Sequence, residues 1–262
     1  MAKTTLAFLL LLGFSVSAYA QSASSSIRPN PGTYSVAVAS DPDPVQSGLT
    51  AYWKMDENTG ITADDSIGSF DGTLTNGPTG VTGKSGSAVS FSSQSSHYIA
   101  IANPSPIGNS TTFSLSLWFK STTAEANTGK LYSEGSNISN NPLWCVSMNE
   151  DSAGDISFSY KDNSDVAGSS SSLATAASNN GAWHHVVLVQ TSKSLRELYY
   201  DNIKLLTNTT TVGALTLNTA NIGRFERIAV TNYFSGQIDQ VRLYDGYALS
   251  VAEINSIYTA GK

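Results

Sequence analysis

Phe113-Ser114-Leu115-Ser116-Leu117-Trp118-Phe119-Lys120 alternates large apolar residues with small or polar ones along its whole length, Trp118 excepted. In an extended chain successive side chains point to opposite faces, so Phe113, Leu115, Leu117 and Phe119 share one face and Ser114, Ser116, Trp118 and Lys120 the other. The first set is predicted to be core. Asp155 to Lys161 repeats the rule, with Ile156, Phe158 and Tyr160 facing one way. Asp201-Asn202, between Tyr200 and Ile203, reads as a two-residue hairpin turn because both residue types tolerate positive φ. From residue 48 onward, short strand-like runs alternate with turn clusters, which predicts an all-β fold of two packed antiparallel sheets.

The C-terminus departs from this pattern. Ser250 followed by Glu253 forms a capping box, Leu249 can staple to Ile254, and Gly261 suits a helix end, so a closing helix of about two turns is expected. No internal repeat or heptad period is visible.

At the other end, Lys3 precedes an apolar run from Leu6 to Val16, and Ala18-Tyr19-Ala20 supplies the small residues that signal peptidase requires. Residues 1–20 are expected to be a signal peptide, too short in their apolar part for a membrane span of about 20 residues. Export would place the mature protein outside the cell, or in the periplasm or at the cell surface of a bacterium. Residues 21–47 are rich in Ser and Pro and read as an arm or linker, leaving 48–262 as one domain. Within the arm, Tyr34-Ser35-Val36-Ala37-Val38-Ala39 alternates like a strand. It is either an extra edge strand or tail, or a segment for self-association that adds to a neighbour's sheet edge.

Charged residues make up only 13% of the 262 residues. Removing residues 1–20 takes away Lys3, so the mature chain carries 13 Lys and Arg against 20 Asp and Glu, a net charge of −7. With no basic run to offset that charge, a nucleic-acid partner is not expected. Cys145 is the only cysteine, so no intramolecular disulfide can form; it is either a buried thiol or a group for intermolecular bridging.

The candidate chemistry is sparse. Asp56, Glu57, Asp64, Asp65, Asp71 and Asp239 sit where loops of a sandwich can bring acids together. Two uses are open to them: capping turns, or holding calcium, which takes six to eight oxygens from carboxylates and loop carbonyls. His184 and His185 are adjacent in a strand-like run and so point to opposite faces, which suits structural roles better than a shared metal. His97 stands beside Tyr98 and Ile99 in another such run. There is no Gly-x-Ser-x-Gly elbow, His-Glu-x-x-His helix or phosphate-cradling loop. Asn109, Asn137 and Asn208 each begin an Asn-x-Ser/Thr acceptor pattern, which matters in a eukaryotic host.

Several blocks resemble those of laminin-G-like jelly rolls, the concanavalin A-like sandwiches. They are Gly48 to Glu57, Asp65 to Leu74, Gly83 to Phe91, Trp183 to Val189, Leu198 to Leu205 and Gly236 to Tyr244, spread over about residues 48–260. Phe70 stands where such domains more usually have a small polar residue. The resemblance implies an all-β, two-sheet antiparallel jelly-roll sandwich, and a non-catalytic module that recognises an extracellular glycan or a surface protein. The alternative is a structural or adhesive subunit of an extracellular assembly. Hydrolases on this scaffold carry a Glu-x-Asp-x-x-Glu strand motif, which is missing here, so an enzyme is not expected.

Relatives that bind a structural calcium ion near these loops imply Asp65, Asp71 and Asp239 as metal ligands. For a glycan, aromatic rings supply stacking platforms, and Trp144, Tyr160, Tyr199, Phe225 and Tyr233 are the candidates. Trp53, Trp118 and Trp183 fall in blocks that the family uses for packing. The stretch Asn221 to Arg227, running into Tyr233, resembles the family's Ile-Gly strand and the variable loop after it, so Arg224, Phe225, Arg227 and Tyr233 are the expected binding loop.

Overall fold

A computed structural model describes residues 43–102, 106–122, 129–149, 153–168, 170–173, 178–228 and 231–261. The expected signal peptide and the arm as far as residue 42, Tyr34 to Ala39 included, lie outside the described residues.

The strands run in chain order as β1 (Leu49–Trp53), β2 (Thr62–Ala63), β3 (Gly72–Thr75), β4 (Thr79–Thr82), β5 (Ser87–Phe91) and β6 (Tyr98–Ile101). Next come β7 (Phe113–Thr122), β8 (Gly129–Gly135), β9 (Leu143–Met148), β10 (Asp155–Lys161), β11 (Ser170–Leu173) and β12 (Asn180–Ser192). The last are β13 (Leu195–Tyr200), β14 (Ile203–Asn208), β15 (Thr219–Ile222), β16 (Arg224–Phe225), β17 (Thr231–Tyr233) and β18 (Gly236–Asp245), followed by helix α1 (Val251–Ala260). The first sheet has the order β14-β13-β12-β7-β18-β5-β4, with β1 also paired to β18. The second runs β11-β10-β9-β8-β15-β6-β3-β2, and β16 with β17 makes a separate hairpin. The pairings are antiparallel. This is the expected two-sheet jelly-roll sandwich.

The core lies between the sheets. Phe113, Leu115, Leu117 and Phe119 of β7 are fully buried, and Ile156, Phe158 and Tyr160 of β10 belong to the same cluster. Trp144 of β9 meets Phe113 with ring centroids 4.8 Å apart. The turn at Asp201 and Asn202 has φ of 46° and 67°, the left-handed pair that a tight hairpin requires.

Strand β7 is also buried on its polar face, because the first sheet has a second cover. Val187, Val189, Tyr199 and Tyr244 on that outer face pack with Val45 and with Leu249, Ile254 and Ile257 around α1. Ser114 lies beneath this cover with its hydroxyl fully engaged, donating to Tyr247 O at 3.1 Å and accepting from Leu249 N at 2.9 Å. Both arms of the Ser250–Glu253 capping box are present, and the helix runs ten residues, a turn longer than expected. Gly261 follows it with φ −83°, so its glycine is not required by a left-handed cap. A Cβ there would lie 2.5 Å from Trp118 Nε1, and close packing on the indole explains the residue instead.

The end of the arm is part of this cover. Asp43 forms an ion pair with Arg242, both side chains being 4% exposed, and Val45 is buried beside it. Arg242 also donates to Tyr52 Oη at 2.7 Å and lies over its ring. Residues 43–47 are therefore packed on the sandwich. A buried ion pair that loses one member leaves the other charge uncompensated, so Asp43→Ala is expected to lower stability by about 3–5 kcal/mol in urea unfolding. A loss under about 1 kcal/mol would mean that Arg242 is held by Tyr52 and Gln240 alone.

Candidate binding site

Most of the aromatic residues proposed from the sequence are inaccessible. Trp144 and Tyr160 are fully buried between the sheets, where Trp144 packs on Phe113 and Tyr132, and Tyr160 lies under the Arg196 guanidinium at 4.2 Å. Tyr199 is covered by the α1 side of the first sheet and donates to Glu197 at 3.1 Å. Phe225 is 4% exposed. The causes differ: Trp144 and Tyr160 belong to the core between the sheets, Tyr199 lies under the helical cover of the first sheet, and Phe225 is buried in the β16–β17 hairpin.

Arg224 is likewise a structural clamp. Its guanidinium lies 3.6 Å over the Tyr98 ring and is fixed by Glu226 at 2.6 Å and Asn221 at 3.0 Å, leaving the residue 6% exposed. Of the expected loop, Arg227 and Tyr233 are half-buried and reach the surface, with Arg227 over Phe225 and Tyr233 beside Tyr98 at 6.2 Å. The hairpin of β16 and β17 lies against β8, where Ser133 donates to Arg224 O at 2.7 Å.

A more open arrangement lies on the outer face of the first sheet. Ser90 on β5 pairs with Gln237 on β18, Gln237 with Lys120 on β7, and Lys120 with Trp183 on β12. Their neighbours Val89, Ile238 and Phe119 point into the core, so this row points outward. All four residues are half-buried. Ser90, Lys120 and Gln237 line a cleft of about 230 Å³ together with Phe91, Ser92, Ser121, Thr122, Ser235 and Gly236. Ser235 accepts from Ser93 N at 2.7 Å, which closes the cleft's end two residues along the chain from Tyr233. Gly236 has φ 140°, and a Cβ there would clash with Lys120 O, so only glycine lets β18 approach β7 at this point.

The sequence placed Lys120 on the non-core face but left Trp183 among the packing residues. The alternation of β12 did carry a signal, since Trp183 shares the parity of Val187, which lies under α1. Cross-strand register was the missing link.

The proposed metal ligands separate into two places. Asp65 Oδ1 accepts from Tyr52 N at 2.9 Å and Ile67 N at 3.0 Å, and its Oδ2 accepts from Phe70 N at 3.1 Å. Asp71 Oδ1 accepts from Asp65 N at 2.9 Å. These two aspartates organise the 65–71 loop, and the oxygens of Asp65 are already engaged. Among the described residues no three His, Cys, Asp or Glu side chains gather as a metal cluster, so Asp65, Asp71 and Asp239 do not fit one ion together.

Asp239 is different. It is fully buried, its Oδ2 accepts from Lys84 N at 2.8 Å and Ser85 N at 3.1 Å, and its Oδ1 has no hydrogen-bond partner. Burial pushes its pKa up to about 7, and the negative charge of Asp56 adds to the rise. Asp56 grips the other side of the same loop through Ser87 N at 2.8 Å. A Cβ on Gly86 would meet the Asp56 carboxylate, and one on Gly83 would meet the Ser87 backbone carbonyl first and Asp239 Oδ2 next, at 2.7 Å. The buried Asp239 thus keeps one oxygen without a hydrogen-bond partner, with Asp56 holding the other side of the same loop.

The histidines serve the scaffold. His184 bonds Asp201 at 2.8 Å and Asn180 at 3.0 Å and stacks on Tyr200, whereas His185 faces the opposite side, bonding Ser116 at 2.8 Å and packing on Trp118. Burial lowers the His185 pKa to about 3, so it is neutral. Cys145 is 1% exposed, with its thiol 3.8 Å from Ser147 Oγ.

A family model described as Concanavalin A-like lectin/glucanases superfamily matches residues 93–255. No curated protein matches the sequence. Among solved structures, the binding domain of Paraclostridial Mosquitocidal Protein 1 is similar with a TM-score of 0.65 at 15% identity, over 82% of this chain and 52% of that one. Domain 4 of an extracellular arabinanase from Geobacillus stearothermophilus, in complex with arabinotriose, has a TM-score of 0.60 at 21% identity, over 80% of this chain and 98% of that one. The binding domain of botulinum neurotoxin serotype G has a TM-score of 0.60 at 14% identity, over 81% and 51%. The chain thus spans about half the length of the toxin binding domains, and these likenesses establish the fold.

Two measurements check the placement of these groups. Trp144→Ala is expected to lower stability by about 3–5 kcal/mol, the range for a large aromatic removed from a core, whereas Trp183→Ala should change it by about 1 kcal/mol or less. Equal losses would contradict the difference in burial. The pH dependence tests Asp239. Its folded pKa lies above the unfolded value, so the folded state holds the proton more tightly, and its contribution to stability falls as pH rises from about 4 through 7. Asp239→Asn should remove that fall, so the variant gains on the parent with rising pH, by on the order of a few kcal/mol by pH 8. A difference independent of pH would refute the raised pKa.

Proposed function

The chain belongs to the concanavalin A-like lectin/glucanase superfamily, and from that premise we propose that it is a secreted, non-catalytic module that binds an extracellular glycan or a glycan-bearing surface protein. The observation that carries this reading is the outward row of Ser90, Gln237 and Lys120 beside the half-buried Trp183 ring. A sugar offers an apolar ring face to an indole and hydroxyls to amide, hydroxyl and ammonium groups, and this row holds one of each. None of the three polar side chains has a hydrogen-bond partner among the described residues, so they are available to a ligand.

The non-catalytic part rests on the lining. Glycoside hydrolysis requires two carboxyl groups on either side of the scissile bond, and no Asp or Glu lines this cleft. A second hollow, beside Asn58, Pro78 and Thr79, contains one acid, Glu57, which already accepts from Asp64 N at 3.1 Å. Export agrees with the leader-like residues 1–20. No helix among the described residues is long and apolar enough to cross a membrane.

Calcium belongs to this reading as a structural ion, held by Asp239 and Asp56 at the Gly83–Ser87 loop. Held by these residues, the ion would offset the buried Asp239 charge and would help tie β18 to the β4–β5 loop.

Binding of residues 21–262 to a broad glycan and polysaccharide array, with calcium and with chelator, tests the function. Reproducible binding that Trp183→Ala abolishes is expected, and no binding under either condition would remove the glycan reading. Calcium should raise the melting temperature, and Asp239→Asn should eliminate that rise. A melt indifferent to calcium would take the ion out of the account.

A further inference from the structure

The same row constrains the ligand more narrowly, through the charge at its centre. Lys120 lies between Gln237 on one neighbouring strand and Trp183 on the other. It makes no ion pair among the described residues, and the other residues of the cleft are Ser, Thr, Gly, Gln and Phe. The cleft is therefore a cationic point in a chain whose net charge is −6.

We propose that this row binds an acidic sugar, with the ring on Trp183 and its anionic group on Lys120; the inference rests on the glycan-binding reading above. Adjacent strands lie roughly 4.8 Å apart, so an indole and an ammonium on paired residues fall within the span of one sugar residue. The discriminating step is desolvation. A ligand that covers a half-buried ammonium strips water from it, and a neutral hydroxyl replaces that hydration poorly, whereas an anionic oxygen forms a charge-assisted bond about twice as strong as a neutral one. Gln237 and Ser90 then serve ring hydroxyls on the side away from Trp183. Lysine acts as a point charge without arginine's planar fork, so the site reads negative charge, and a carboxylate and a sulfate ester are two sources of it.

The test compares neutral, uronate-bearing and sulfated oligosaccharides of matched length on the full mature chain, by array and then by titration calorimetry of the hits. Acidic members should bind more tightly than their neutral counterparts, and binding should weaken as salt rises. Lys120→Gln should lose about tenfold or more in affinity for the acidic members, equivalent to about 1.4 kcal/mol. Lys120→Arg should retain most of it, and both variants should melt like the parent. Preference among acidic members identifies carboxylate or sulfate as the natural source. Binding confined to neutral sugars, or acidic binding indifferent to Lys120→Gln, overturns the inference and leaves the glycan reading standing. No binding to any member overturns both.

Discussion

The burial of β7 on both faces is the constraint around which the molecule is arranged. An antiparallel strand needs only one apolar face to join a sandwich, and the phenylalanines and leucines of β7 meet that need. The opposite face carries Ser114, Ser116 and Trp118, polar enough for solvent yet 1% exposed or less. Closing such a face is least costly where its hydroxyls find partners, and both serines do, while the buried Trp118 Nε1 has none among the described residues. Leu249 and Tyr247 supply backbone partners to Ser114, and His185 supplies a ring nitrogen to Ser116.

Trp118 connects that closed region to the rest. Tyr258 of α1 stacks on it with centroids 5.5 Å apart, His185 packs beside it at 4.9 Å, and the Lys84 ammonium sits 4.6 Å from its centroid. Asp239 is its register partner on β18 and holds the backbone of the loop that carries Lys84. The helix end, the β4–β5 loop and the central strands therefore meet at one indole. The neighbouring outward row, with Lys120 and Trp183, is half-buried at the margin of this covered region.

The Asp239 carboxylate shows how the same residue can be both structural and chemically unusual. The backbone N–H groups of Ser85, Lys84 and Gln240 favour its charge, but burial outweighs them and holds the pKa near 7. Asp65 has a similar turn-gripping role with three backbone donors, and both its oxygens are engaged. Two turn-gripping aspartates thus differ in that Asp239 retains a buried oxygen without a hydrogen-bond partner and Asp65 does not.

By itself the sequence determined the alternation of β7 and β10, the Asp201–Asn202 turn, the capped terminal helix and the opposed histidines, because each depends on period, local dihedral preference or a partner three residues away. It also identified Asp239 and the glycine-bearing loop at 83–86, although not that one grips the other. Only the tertiary structure decided which aromatics face solvent. Trp144 and Tyr199 are indistinguishable from surface platforms until the sheets and their cover are in place, whereas the parity of Tyr160 with Ile156 and Phe158 already pointed inward, and Trp183 is indistinguishable from a packing residue until β12 is set in register against Lys120. Register and cover are agreements between segments distant in the chain. A local pattern carries the parity of a side chain, but not what the sheet places beside it or above it.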